Sequence, residues 1–124
     1  MKNLTIIAAA TLVFALPTFG FACEYPERPT LPDGSVASKE DMIAAQTAVK
    51  AFLAAIDGYL ECIEQEEKDA VAAMDNPDEE TIKRRDELLA KRFDAANDEK
   101  FLFGEQWNQQ VRAYNARKSG QNSE

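Results

Sequence analysis

The chain has 124 residues, 45% hydrophobic and 29% charged, with 22 acidic against 14 basic side chains and a formal charge of −8. That length bounds it to one small domain, and the acid excess disfavours nucleic acid and anionic membranes, which need basic patches to displace counterions. It contains no histidine, which removes the common imidazole base, the histidine zinc sites and the helical Glu-x-x-His di-iron motif.

Residues 1–22 have the pattern of a secretory signal: Lys2 is the positive end, residues 4–16 are apolar, Pro17 breaks the run, and Gly20 and Ala22 are the small residues before a cut at Cys23. The apolar run is shorter than the roughly 20 residues of a spanning helix, so cleavage is expected rather than an uncleaved anchor, with no membrane insertion afterwards. Removing 22 residues, among them one lysine and no acid, leaves 102 residues with a formal charge of −9. A lipoprotein acylated on Cys23 is a minor alternative, because Gly20 and Phe21 fit its pattern poorly. Cys23 and Cys62 are the chain's two cysteines, and in an oxidising compartment they are expected to form one intramolecular bridge, an intermolecular disulfide being the alternative.

Residues 23–37 contain Pro26, Pro29 and Pro32, which favour extended geometry, and Pro32-Asp33-Gly34 signals a turn. The first helix is expected over 38–74, with Ser38 as N-cap and Asp41 three residues on. Its apolar seam, Met42, Val49, Ile56, Ile63 and Ala70 with Ala45, Phe52, Tyr59, Glu66 and Ala73, follows a repeat of about 3.5 residues and predicts lengthwise packing on another helix. A second line, Ala44, Ala48, Ala51, Ala55, Gly58 and Cys62, makes a shallow groove of small side chains, or reflects only the helix propensity of alanine. From Ser38 to Cys62 is about 36 Å of helix, and the fifteen steps from Cys23 to Ser38 reach about 46 Å when extended. The proline-rich segment is therefore expected to lie antiparallel in that groove, where leucine at Ala55 or Gly58 would collide with it and leucine at Ala70 would be tolerated.

Asn76, Pro77 and Glu79 suit the N-cap, first turn and reciprocal capping position of a second helix over 77–118. Its inward set is Ile82, Leu89, Phe93, Ala96, Phe103, Trp107, Val111 and Tyr114, and its outer face carries Glu79/Lys83, Glu80/Arg84 and Glu87/Lys91. Gly104 and the run 97–100 could bend or divide it, and residues 119–124 read as a disordered tail. The fold class is thus all-α: an antiparallel, coiled-coil-like helical hairpin with an extended N-terminal segment tied to its first helix.

No Gly-rich phosphate loop, Gly-x-Ser-x-Gly elbow or Cys-x-x-Cys appears, and no catalytic residue, cofactor or metal is expected. Glu61, Glu64, Glu66, Glu67 and Asp69 spread around more than one helical face and read as solvated. Phe101, Leu102, Phe103, Trp107 and Tyr114 lie on more than one face of the second helix, more than one facing helix covers. Internal cover, a homodimer built as a four-helix bundle and strengthened by salt, or a partner surface using Phe101, Phe103, Trp107, Val111 and Tyr114 would each account for them.

The runs Cys23-Glu24-Tyr25-Pro26-Glu27-Arg28-Pro29, Leu31-Pro32-Asp33-Gly34, Ala37-Ser38 and Tyr59-Leu60-Glu61-Cys62, with Trp107-Asn108 and Val111-Arg112-Ala113-Tyr114, resemble an uncharacterised family of exported proteins of Gram-negative bacteria. The resemblance implies a cell-envelope location and brings no activity with it. The sequence therefore points to a periplasmic or secreted, non-enzymatic protein that acts by contact with an unknown protein partner. The alternatives are a holdase-like chaperone and an enzyme working with carboxylates alone.

Overall fold

The computed structural model describes residues 22–121, and these form two helices, α1 (Lys39–Ala72) and α2 (Glu79–Gln121), packed antiparallel. The expected signal segment lies almost wholly outside the described residues, as does the end of the tail. Ser119, Gly120 and Gln121 are helical, so α2 takes up half of the segment expected to be disordered. It also passes Gly104 without a break.

The start of α1 is the expected one. Ser38 accepts the Asp41 N–H at 3.0 Å while Asp41 accepts the Ser38 N–H at 3.2 Å, a reciprocal cap that satisfies two otherwise orphaned donors. Asp33 organises the preceding turn by accepting the Ser35 N–H at 2.9 Å on its side chain and the Ala37 N–H at 2.8 Å on its carbonyl. The start of α2 differs from expectation. The Pro77 ring disfavours the right-handed helical region at the residue before it, and Asn76 instead reverses the chain with φ +49°, which asparagine tolerates. Capping then passes to Asp78, whose carboxylate accepts the Thr81 N–H at 2.6 Å.

The expected seam is the core of α1: Met42, Ala45, Val49, Phe52, Ile56 and Ile63 are buried. Ala96 and Phe103 are the buried residues of α2, and Phe52 meets Phe103 edge to face with centroids 4.8 Å apart. Toward the turn the helices are tied by Arg85, which donates to Glu67 at 2.6 and 2.9 Å, a bidentate geometry stronger than a single contact.

Cys23 and Cys62 are bridged within the chain, with Cα atoms 5.8 Å apart. The sulfur that a lipoprotein would acylate is thereby committed to Cys62. Closing a separation of 39 residues stabilises the fold by about 4 kcal/mol in the chain-entropy model. The segment leaving this bridge does run antiparallel to α1, with Tyr25 edge to face on Tyr59 at 5.0 Å. It does not, however, fill the small-residue groove. Ala44, Ala51, Ala55 and Gly58 are exposed, and a Cβ built on Gly58 meets nothing within 4 Å.

The segment lies instead in a furrow between the two helices. Leu31 packs on the core, Arg28 pairs with Glu99 at 2.9 Å and donates to Gln106, and the Gly34 N–H donates to the Gln110 side chain at 2.9 Å. Arg117 donates to the carbonyls of Ser35 and Ala37 at 3.2 and 2.6 Å. The physical reason is that alanine methyls offer little apolar area and no hydrogen bonds, whereas the furrow offers Phe103 and side chains that satisfy the extended backbone.

Gly34 sits so close to α2 that a Cβ there would stand 1.9 Å from the Gln110 carbonyl oxygen. Gly34→Ala is therefore expected to destabilise by about 1–3 kcal/mol through overpacking. Gly58→Ala, in open space, should stabilise by about 0.5–1 kcal/mol through helix propensity. Urea denaturation of the two variants measures both signs. If both stabilise, the segment does not press on α2.

Candidate interaction surface

The five residues expected to serve a partner surface are divided by the structure. Phe103 is fully buried, closed on one side by Phe52 and on the other by the Arg28 guanidinium 4.9 Å above its ring. It is core and offers nothing to a partner. Phe101, two positions earlier, points outward and is 68% exposed. Adjacent helical positions differ by about 100°, which is why neighbouring phenylalanines meet opposite environments.

Trp107, Val111 and Tyr114 are brought together. They are half-buried and, with Met42 and Ile43 of α1, line an open apolar hollow of about 330 Å³ at the end of the hairpin away from the turn. Lys39 and Lys118 stand at its edge, and the Lys118 ammonium lies 5.9 Å from the Tyr114 ring centroid. The N-terminal segment covers the neighbouring face of α2, engaging Gln106, Gln110 and Arg117. One furrow of the hairpin is thus filled by the chain itself, while the other stays bare at its open end. Met42 and Ile43 were missed as site residues, because Met42 sits in the seam and is core, Ile43 lies one position off it, and only the tertiary arrangement sets both beside Trp107.

Charge is distributed unevenly along the hairpin. Residues 57–103, around the turn, hold 15 acids and seven bases, whereas residues 33–56 with 104–121, at the open end, hold four acids and five bases. The hollow therefore lies in the least acidic part of the molecule.

Four of the five acids in the run on α1 have partners. Besides the Glu67–Arg85 contact, Glu64 pairs with Lys68 at 2.8 Å, Glu66 accepts the Cys23 N–H at 3.2 Å and Asp69 accepts from Gln65 at 2.8 Å. No group of three acids or cysteines able to hold a metal occurs among the described residues. Hydrogen bonds at turns and caps lower the carboxyl pKa of Asp33, through Ser35, of Asp41, through Ser38, and of Asp78, through Thr81. A general acid needs the reverse displacement.

Comparison of the chain with protein-family models, with curated proteins and with solved structures finds no match.

The division of the aromatic residues is measurable. Phe103→Ala should cost about 3–5 kcal/mol, while Phe101→Ala should stay within about 0.5 kcal/mol of the parent. Thermal unfolding at low protein concentration compares them, and equal losses would contradict the assignment of Phe103 to the core.

Proposed function

We propose that the protein is an exported, non-enzymatic helical hairpin of the periplasm or secreted space that acts by contact with another protein, and that the hollow around Trp107 is the contact site. Export is supported by the Cys23–Cys62 bridge, a type of bond that persists in oxidising compartments, and by the signal-like pattern of residues 1–22. Among the described residues no helix is long and apolar enough to cross a membrane.

The observation that carries the contact site is the bare apolar floor of Met42, Ile43, Trp107, Val111 and Tyr114 between two lysines. Apolar surface framed by polar residues is characteristic of protein interfaces. A chain this acidic repels acidic partners almost everywhere, and the open end, with Lys39 and Lys118, is where one can approach. The partner that fits is an acidic segment placing an aromatic or aliphatic side chain in the hollow. Its volume of about 330 Å³ takes one or two such side chains, which favours a defined partner over a holdase that must accept long unfolded segments. The lowered acids at caps and turns give the carboxylate-only enzyme no support.

A photo-reactive residue at Ile43, exposed at the edge of the hollow, tests the reading in envelope extracts. One discrete cross-linked protein is expected, absent when the same residue is placed at Ala54 on the outer face of α1, and lost with Lys39→Glu combined with Lys118→Glu. Cross-links to many unrelated proteins would favour the holdase. The same products from position 54 would refute the site.

A further inference from the structure

Well round α2 from the hollow, Leu88, Ala95 and Leu102 recur every seven residues and so lie on one line along the helix. All three are exposed, the two leucines by 56% and 54%. The charges beside this line change sign about its middle. Lys91 and Arg92 precede Ala95 by four and three residues, and Asp98 and Glu99 follow it by three and four.

We infer that this stripe is a self-association surface, on which a second copy of the chain docks with its α2 antiparallel about a twofold axis through Ala95. In that arrangement Leu88 faces Leu102 of the second copy, and each contact occurs twice, as a twofold interface requires. Antiparallel helices bring like flanks together, so Lys91 meets Asp98 of the second copy on one flank, and Arg92 meets Glu99 of the second copy on the other. Ala95 at the crossing lets the two backbones approach closely. A parallel pairing brings unlike flanks together, setting Lys91 against Arg92 and Asp98 against Glu99 of the second copy, and is disfavoured by its own charges. The occupant is a second copy because the stripe is its own complement.

The ion pairs within each chain leave the stripe usable. Glu99 is held by Arg28 and Arg92 lies 3.8 Å from Glu66, yet both keep part of their side chains exposed. Lys91 and Asp98 are exposed and carry most of the orientation. The chain's charge of −8 opposes pairing, but charges on separate copies are screened beyond about 8 Å at physiological salt. A single helix–helix stripe is smaller than the ~1,200–2,000 Å² of a standard interface, so the dimer is weak. The stripe and the hollow occupy different sides of α2, and the two readings stand or fall separately.

Sedimentation equilibrium of the mature protein, with circular dichroism to show that each variant keeps its helices, tests the proposal. A monomer–dimer equilibrium at high micromolar concentration is expected, and Leu102→Glu should abolish it. Lys91→Glu and Asp98→Lys each turn two attractive contacts per dimer into repulsive ones and should weaken pairing by about tenfold. An equimolar mixture of these two variants should recover the lost affinity as a mixed dimer, since Glu at position 91 then meets Lys at position 98 and the native Asp98 meets the native Lys91. A monomeric parent protein at those concentrations, a dimer indifferent to Leu102→Glu, or a mixture no tighter than its components would overturn it.

Discussion

Two helices laid side by side touch along a line, and a line of contact leaves any large side chain on it open from above. Phe103 is fully buried all the same, because the extended segment after Cys23 lies over the furrow and sets Leu31 and the Arg28 guanidinium on the core. The hairpin therefore depends on a third layer that has no regular hydrogen-bond ladder of its own. What holds this layer is the bridge at one end, Gly34 pressed on the α2 backbone in the middle and Arg117 gripping two carbonyls at the other. Each attachment satisfies or constrains backbone that three prolines would otherwise leave extended and solvated.

Filling one furrow determines what is left for function. The segment occupies the side of α2 that carries Gln106, Gln110 and Arg117, so the side that carries Trp107, Val111 and Tyr114 stays open against Met42 and Ile43. The anchoring of the segment also fixes the angle at which α1 begins, through the Asp33 turn and the Ser38–Asp41 cap, and with it the position of Lys39. The hollow is thus a by-product of how the core is closed, set at the end of the molecule where the acid excess vanishes.

What the sequence made legible was whatever depends on neighbours in the chain. The Ser38–Asp41 cap, the seam from Met42 to Ile63 and the inward set of α2 follow from spacings of three, four and seven, and the bridge follows from compartment and the count of two cysteines. What it hid were mainly choices decided by partners some 50 to 80 residues away. A line of alanines looked like a bed for the N-terminal segment, yet contacts from Gln106, Gln110 and Arg117, whose residue types alone announce nothing, decide where that segment lies. Phe103 belonged both to the inward set and to the aromatic surface offered to a partner, and the facing Phe52 decides for the core. One local choice was missed as well: Asn76 was read as the cap, and the restriction that Pro77 places on the residue before it passes that role to Asp78.

Amide hydrogen exchange of the protein before and after reduction of the Cys23–Cys62 bridge tests the role of this third layer most directly. If the segment closes the core, reduction lowers protection at residues 28–37 and, with them, in the middle of α2 around Phe103. Protection should persist better near the turn, where Arg85 grips Glu67. An α2 whose protection is unchanged while residues 28–37 exchange freely would show that the two helices bury Phe103 without help, and would contradict the account.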